Sequence, residues 1–350
     1  MTKFKLGTRE IGVDKPTYIV AEIGANHNGE IQIAKKSIDA AKECGVDAVK
    51  FQTYTAKELI ADLDRLVTMG PKGNQVTERI EDMFNKVTLK REAHSEVFNY
   101  AREVGLEVFS TPFSLDGVNF LNNLDVNCFK IAASDIDYLD LLKEITKTNK
   151  PVMLSLGKCT IGEADMAITT LEENGCEKLV IMHCVSQYPS RIEDMNLKVI
   201  TSLKNLYPEH IIGFSDHSMG NTAALGAVAL GARVIEKHFT IDKKLSGPDH
   251  WFSMDPFEMK SLVTEVRNLE TAMGSSRKKI LRCEESGRYN SIRSLVINKD
   301  LKCGDKIREE DLIALRPGYG IKPYDKEKII GMKVQRDIKK LTVLTWDVFK

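Results

Sequence analysis

No run of apolar residues in the 350-residue chain approaches the ~18 that a membrane-spanning helix needs. The N-terminal MTKFKLGTREIG has no apolar signal core, so the expectation is a cytoplasmic protein with no membrane partner. Net charge is also lacking, with 50 Lys+Arg against 50 Asp+Glu, which gives no support for nucleic-acid binding. Residues 281–350 carry 16 basic against 11 acidic residues, leaving 34 against 39 for residues 1–280; this mild asymmetry suits two bodies of different character. Aromatics make up only 7% of the chain. The seven cysteines (Cys44, Cys128, Cys159, Cys176, Cys184, Cys283, Cys303) form no CxxC pair, and several sit in apolar runs, as reduced thiols of an intracellular protein do. No internal repeat or low-complexity segment is evident.

What the chain has is alternation. Eight short apolar runs, at 17–23, 46–52, 106–110, 127–131, 150–156, 178–184, 210–216 and 233–239, are flanked by Gly, Pro or charge, the pattern of buried parallel strands. Helix-period stretches such as 31–45, 91–105 and 161–175 lie between them and end at glycines. Eight strands each followed by a helix predict an α/β fold of the (β/α)8 TIM-barrel type over residues 1–280. The insertion at 55–88, after the second strand, is long enough for an active-site loop. A polar stretch at 281–292 reads as a linker, and short strand-like pieces at 294–298, 311–318, 333–338 and 342–346 predict a small, mostly-β domain over 293–350.

In such a barrel the C-terminal ends of the strands form the active-site mouth. Those ends carry Glu22, Lys50, Gln52, Ser110, Thr111, Lys130, Ser155, His183, Ser215, Asp216, His217, Glu236 and His238, more ionisable groups than a purely structural barrel needs. His217 and His238 terminate neighbouring strands, so their imidazoles could share one divalent metal with Asp249 or Glu22 completing the shell; each could equally be a hydrogen-bonded core residue. His183 is ambiguous and could belong to the barrel layer, His94 and His210 read as structural, and His27 lies near the mouth in the NHNG turn. Lys50 and Lys130, with Thr111, Ser155 and Ser215 nearby, suit a cradle for phosphate and carboxylate. A strand-end lysine could instead form a Schiff base, or be a snorkelled surface side chain.

The motifs AEIGANHNG (21–29), KFQTY (50–54), STPFS (110–114), FKIAASD (129–135), HCVSQYP (183–189), GFSDHS (213–218), ALGARVIEKHFT (229–240) and GPDHWFSMDP (247–256), in this order and spacing, closely resemble the N-acetylneuraminate (sialic acid) synthase family of nonulosonic acid synthases. The tail, SLVINKDLKCGDKI followed by ALRPGYGI, resembles that family's antifreeze-like (SAF) domain. The resemblance implies a phosphoenolpyruvate-dependent transferase that makes a C–C bond. It implies phosphoenolpyruvate contacts at Lys50, Thr111, Lys130, Ser134, Ser155, Ser186 and Ser215, and a catalytic carboxylate at Glu22. Gln52, Tyr188 and Asp249 fall near the acceptor sugar. His217 and His238 match ligands of a divalent metal, usually Mn2+, with Mg2+ or Co2+ as alternatives. It also implies a domain-swapped homodimer in which Arg316 reaches the partner's sugar.

Two positions depart from the family pattern. Where KIGSGE is common this chain has KIAASD, so a phosphate-binding serine falls on Ala133 with Ser134 one place later; where Asn commonly precedes IYP it has Ser186. Both changes bear on the sugar. The expected acceptor is an N-acetylmannosamine-like amino-sugar aldehyde, with a 2,4-diacetamido-trideoxy hexose of the legionaminic or pseudaminic route as the alternative.

Overall fold

The computed structural model describes every residue except Met1, Thr2, Lys72 and Asn74. The chain divides after Gly274 into two compact units. In the first, eight strands close into a parallel barrel: β1 (Tyr18–Gly24), β2 (Ala48–Thr53), β3 (Glu107–Pro112), β4 (Phe129–Ile131), β5 (Val152–Leu156), β6 (Leu179–Cys184), β7 (Ile211–Asp216) and β8 (Val234–His238). They follow one another in sequence around the ring, and β8 pairs with β1 to close it. Each of the eight predicted runs contains the core of one strand.

The outer helices are α1 (Ile31–Cys44), α2 (Arg91–Glu103), α3 (Leu115–Asn123), α4 (Leu139–Thr146), α5 (Ile161–Glu173), α6 (Lys198–Leu206), α7 (Thr222–Leu230) and α8 (Pro256–Met273). Local chemistry fixes their ends. Thr160 caps α5 in a reciprocal box with Glu163, and Asp255 caps α8 with Glu258, Pro256 occupying the first turn. Gly45 ends α1 at φ 82°, a left-handed conformation that costs a residue with a side chain more. The strands are buried on both faces, so their apolar runs are continuous.

The N-terminal end of the barrel is sealed by a hairpin, Lys3–Leu6 with Arg9–Gly12, that composition alone did not reveal. Asp47, with a side chain 1% exposed, accepts from the Ile19 amide at 2.7 Å and pairs with Arg9 and, at 3.4 Å, with Arg267 of α8. Arg267 also donates to the Thr17 carbonyl at 2.9 Å.

The insertion after β2 folds as a short helix (Ala56–Leu59), a hairpin (Leu66–Met69 with Val76–Arg79) and a helix (Ile80–Val87); its Lys72 and Asn74 lie outside the described residues. Phe84 of that helix packs edge-on against Tyr54, and Tyr54 against Phe113, at centroid distances of 5.2 and 5.5 Å.

The second unit has its own apolar core, including Leu295, Ile297, Leu301, Ile338 and Leu344. β9 (Ser294–Ile297) pairs antiparallel with β10 (Leu312–Leu315). The pieces at 333–338 and 342–346, expected as strand-like, form isolated bridges and no ladder: Lys306 to Lys333, Leu301 to Ile338, and Val343 to Val296 of β9. Residues 281–292, expected as a plain linker, contain a helical turn (Arg282–Glu284) and a short helix (Glu285–Ser291). Among the described residues no helix is long and apolar enough to cross a membrane.

Candidate active site

Because side chains alternate along a strand, each barrel strand sends one or two residues into the space at its C-terminal end. Glu22, Lys50, Gln52, Thr111, Lys130, Ser155, Ser215, Glu236 and His238 line one cavity there, with His217 and Tyr188 from the segments following β7 and β6. The same alternation turns three strand-end residues away from it. Ser110 bonds to Thr53 at 2.7 Å, His183 donates to the Met195 carbonyl at 2.7 Å and stacks on Phe214, and Asp216 faces outward. For Ser110 and Asp216 the reading as mouth residues is corrected by strand parity; His183, left open from the sequence, belongs to the barrel layer.

The cavity is built on charge. Lys50 Nζ lies 2.8 Å from Glu22 Oε2 and 3.2 Å from Thr111 Oγ1, and Gln52 donates to Glu22 Oε1 at 2.7 Å. Lys130 Nζ donates to Ser155 Oγ at 2.7 Å. Glu236 lies between the two ammonium groups, at 3.7 Å from Lys50 and 3.8 Å from Lys130, and accepts from Ser215 Oγ at 3.2 Å. Both lysines are therefore buried and facing anions, not snorkelled to the surface. Sequence reasoning noted Glu236 at a strand end and gave it no role. The available signal was its spacing two residues before His238, which puts both on one face of β8.

Burial raises the Glu22 carboxyl above its ordinary value, and Glu236 pushes the same way against the pull of Lys50. For Glu236 burial also acts upward, yet Lys130 and Lys50 hold it below the usual range. Burial depresses the Lys130 ammonium, with Glu236 opposing. Lys50 stays above its ordinary value because Glu22 and Glu236 outweigh its burial. A carboxylate made more basic beside a fixed cation is the combination general-base chemistry requires.

The two histidines sit with ring centroids 5.3 Å apart, and Tyr188 covers them at 4.2 and 5.7 Å. Burial holds His217 at about 4 and His238 well below its ordinary value, His217 adding to the effect, so both rings are neutral at physiological pH. His217 Nδ1 faces the Val185 carbonyl at 2.9 Å and must donate to it, which leaves the Nε2 lone pair free. His238 Nδ1 is buried with no hydrogen-bond partner, its nearest carboxylate being Asp249 Oδ2 at 3.5 Å. Burial, with the Glu22 charge second, pushes Asp249 up to about 7. Two neutral imidazoles with unspent lone pairs are a donor set that suits a borderline divalent cation. Among the described residues no group of three or more His, Cys, Asp or Glu gathers around such a point. Glu22, considered as a third ligand, is engaged by Lys50 and Gln52 instead.

The remaining expected residues are more peripheral. Ser134 is exposed and its hydroxyl faces Asp135 at 3.4 Å. Ser186 Oγ lies 3.5 Å from Cys184 Sγ beside the cavity. Arg316 is exposed on the second unit. His94 bonds to Thr53 and the Lys90 carbonyl, His210 to Glu172, and His27 stacks on Phe51, all within the scaffold. Ala133 and Ser186 come together: a Cβ added to Gly157 would meet Ser186 Oγ at 2.2 Å and Ala133 Cβ at 2.9 Å. The two departures in sequence are thus one spot in space.

Known proteins match this chain along its length. The profile of the NeuB family matches residues 37–278, and that of the SAF domain residues 292–350. The chain is 39% identical to the N,N'-diacetyllegionaminic acid synthase of Campylobacter jejuni over 93% of its own length and 98% of the relative's. It is 38% identical to the pseudaminic acid synthase of the same organism, over 93% and 94%. The crystal structure of the N-acetylneuraminic acid synthetase from Leptospira borgpetersenii superposes with a TM-score of 0.74 at 30% identity, covering 82% of this chain and 95% of that one.

Proposed function

The chain belongs to the NeuB family and carries a C-terminal SAF domain, and we propose that it condenses phosphoenolpyruvate with the open-chain aldehyde of a 2,4-diacetamido-trideoxy hexose, releasing phosphate and forming a nonulosonic acid of the legionaminic or pseudaminic type. The observation that carries the reaction class is the buried array of Lys50 and Lys130 interleaved with Glu22 and Glu236 beside two neutral histidines. For the acceptor, the comparisons favour the diacetamido sugar over the N-acetylmannosamine-like one, since the legionaminic and pseudaminic acid synthases reach 39% and 38% identity.

In this reading Lys50, Lys130, Thr111, Ser155 and Ser215 exchange their present partners for the phosphate and carboxylate oxygens of phosphoenolpyruvate, with Ser134 and Ser186 at the edge of the cradle. C3 of the enol attacks the aldehyde carbon, and the carbonyl oxygen takes up a proton from solvent water as the C–C bond forms. C2 acquires oxocarbenium character, which the carboxylates of Glu22 and Glu236 stabilise in a water-poor site. Water adds at C2 and gives its proton to Glu22; the resulting tetrahedral centre expels phosphate by C–O cleavage. His217 and His238 would hold the divalent cation, Mn2+ by family resemblance, and when bound it would polarise the acceptor aldehyde as a Lewis acid. Gln52, Tyr188 and Asp249 line the acceptor side, and Arg316 completes the acceptor site of a partner chain in a homodimer.

The test is phosphate release from phosphoenolpyruvate with Mn2+, with and without EDTA, against N-acetylmannosamine, its 6-phosphate and the 2,4-diacetamido hexoses. EDTA-sensitive release with a diacetamido hexose alone is the expected result, and release only with N-acetylmannosamine would overturn the acceptor. Borohydride trapping of pyruvate on Lys130, indifferent to EDTA, would replace the whole scheme with Schiff-base chemistry.

A further inference from the structure

Behind the two histidines lies a second buried charge pair that the chemistry above leaves unused. Asp216 and Lys237 face each other in the β7–β8 register, each one residue before His217 or His238, on the side of the strands turned away from the cavity. Lys237 Nζ is 2.8 Å from Asp216 Oδ2, with side-chain exposures of 3% and 0%. The same ammonium donates to the Ser218 carbonyl at 2.6 Å. The other Asp216 oxygen accepts from the Ser218 amide at 2.8 Å and its hydroxyl at 2.7 Å. A single lysine on β8 therefore grips the residues on both sides of His217 while itself preceding His238.

Stability does not explain the arrangement. A buried ion pair contributes little net, and well-packed apolar residues in its place are often neutral or stabilising. What a fully satisfied buried network supplies is one fixed conformation, and here the fixed segment is the one that bears both imidazoles. We propose that Asp216, Lys237 and Ser218 are positioning residues, a clamp that sets the separation and orientation of His217 and His238 so that both rings meet one divalent cation. The inference rests on the metal-site reading above and deepens it.

The experiment measures Mn2+ affinity of the full-length, substrate-free protein by the electron paramagnetic resonance signal of unbound Mn2+, together with the thermal midpoint in EDTA. Asp216→Asn combined with Lys237→Met removes the pair without stranding a buried charge. It should weaken Mn2+ binding by roughly 10- to 100-fold, the range for residues that orient metal ligands, with the EDTA midpoint close to that of the parent. Ser218→Ala, which deletes one hydrogen bond, should weaken binding severalfold. Affinity within twofold of the parent in the paired variant, while His217→Ala with His238→Ala loses the ion, would overturn the clamp and spare the metal site. A parent that binds no Mn2+, or a histidine-less variant that still does, would remove the metal site and the clamp together. Should the paired variant unfold, Ser218→Ala decides, and unchanged affinity there overturns the clamp.

Discussion

The two ends of the barrel both bury carboxylates, and they treat them in opposite ways. At the N-terminal end Asp47 has each oxygen engaged, by the Ile19 amide, Arg9 and Arg267. At the C-terminal end Glu236 Oε2 and His238 Nδ1 are buried without a hydrogen-bond partner, and the lysines share carboxylates at up to 3.8 Å. A closed polar network holds structure together, whereas an open one keeps capacity in reserve for a ligand. For the buried carboxylates the difference marks which end does chemistry more sharply than the presence of charge does, although the floor too leaves Thr17 Oγ1 and Arg233 Nε without a hydrogen-bond partner.

The largest effect that would test this contrast is at Glu22. Glu22→Gln keeps the shape and its hydrogen bond with Gln52 but removes the base; kcat should fall by about a thousandfold or more, with phosphoenolpyruvate affinity nearly unchanged and some loss of thermal midpoint, because buried Lys50 loses its nearest anion. A variant that retained turnover would take Glu22 out of the reaction. The opposite signature is expected of Asp47→Ala, which should cost about 2 kcal/mol of stability through the stranded Ile19 amide and the lost arginine contacts, measured by urea denaturation, while kcat stays within twofold.

Acid should loosen the mouth before the floor. Burial holds His27 at about 3 and His94, His217 and His250 at about 4, below the ordinary 6.5, and all four lie toward the C-terminal ends of the strands. The unfolded chain binds their protons first, so their contribution is intact above pH 6.5 and is lost as pH falls from 6.5 toward 4. Hydrogen exchange of the metal-free protein should rise in residues 24–30 earlier in that window than around Asp47; simultaneous opening of both ends would contradict the contrast.

The smallest effect is at Asp249. Its acid is raised to about 7 in the fold from an ordinary 3.8, so folding takes up a proton between those values and its stability contribution declines as pH rises through them. Asp249→Asn removes that penalty. In the metal-free state its midpoint should exceed the parent's by ~2 °C or more at pH 8, and the gap should shrink toward pH 4.

The ring itself was legible because burial on both faces writes strands as unbroken apolar runs, and because eight of them alternated with capped helices. The cavity was legible where parity was respected: Glu22, Lys50, Lys130 and Ser215 point inward, while Ser110, His183 and Asp216, one position away, do not. Reading strand ends without choosing a face admitted all of them. Glu236 was passed over since a lone glutamate carries no motif, and its meaning comes from two lysines brought to it from 106 and 186 residues away in sequence (236 − 130 and 236 − 50). The hairpin inside 55–88 was missed because its strands are largely exposed, leaving little periodic burial to detect; the one at 3–12 does alternate, Phe4 and Leu6 being buried between exposed lysines, and was passed over because the run is only four residues long. In the second unit, bridges between isolated residues leave no alternation at all.

Closure of the ring has a consequence for how the molecule comes into being. Tyr18 pairs with Val234, so β1 waits through 216 residues (234 − 18) for its second neighbour. At a synthesis rate of ~5–20 residues per second, that is roughly ten to forty seconds during which one edge of a half-built sheet exposes unpaired backbone to other nascent chains. The strands between can pair stepwise with near neighbours, but the last seam is the longest-range strand pairing in the barrel and forms only when β8 has emerged. The hairpin and Asp47 precede most of the barrel strands in sequence, and α8, which brings Arg267 to them, follows β8. The polar contacts of the floor thus join the first residues of the barrel to its last helix.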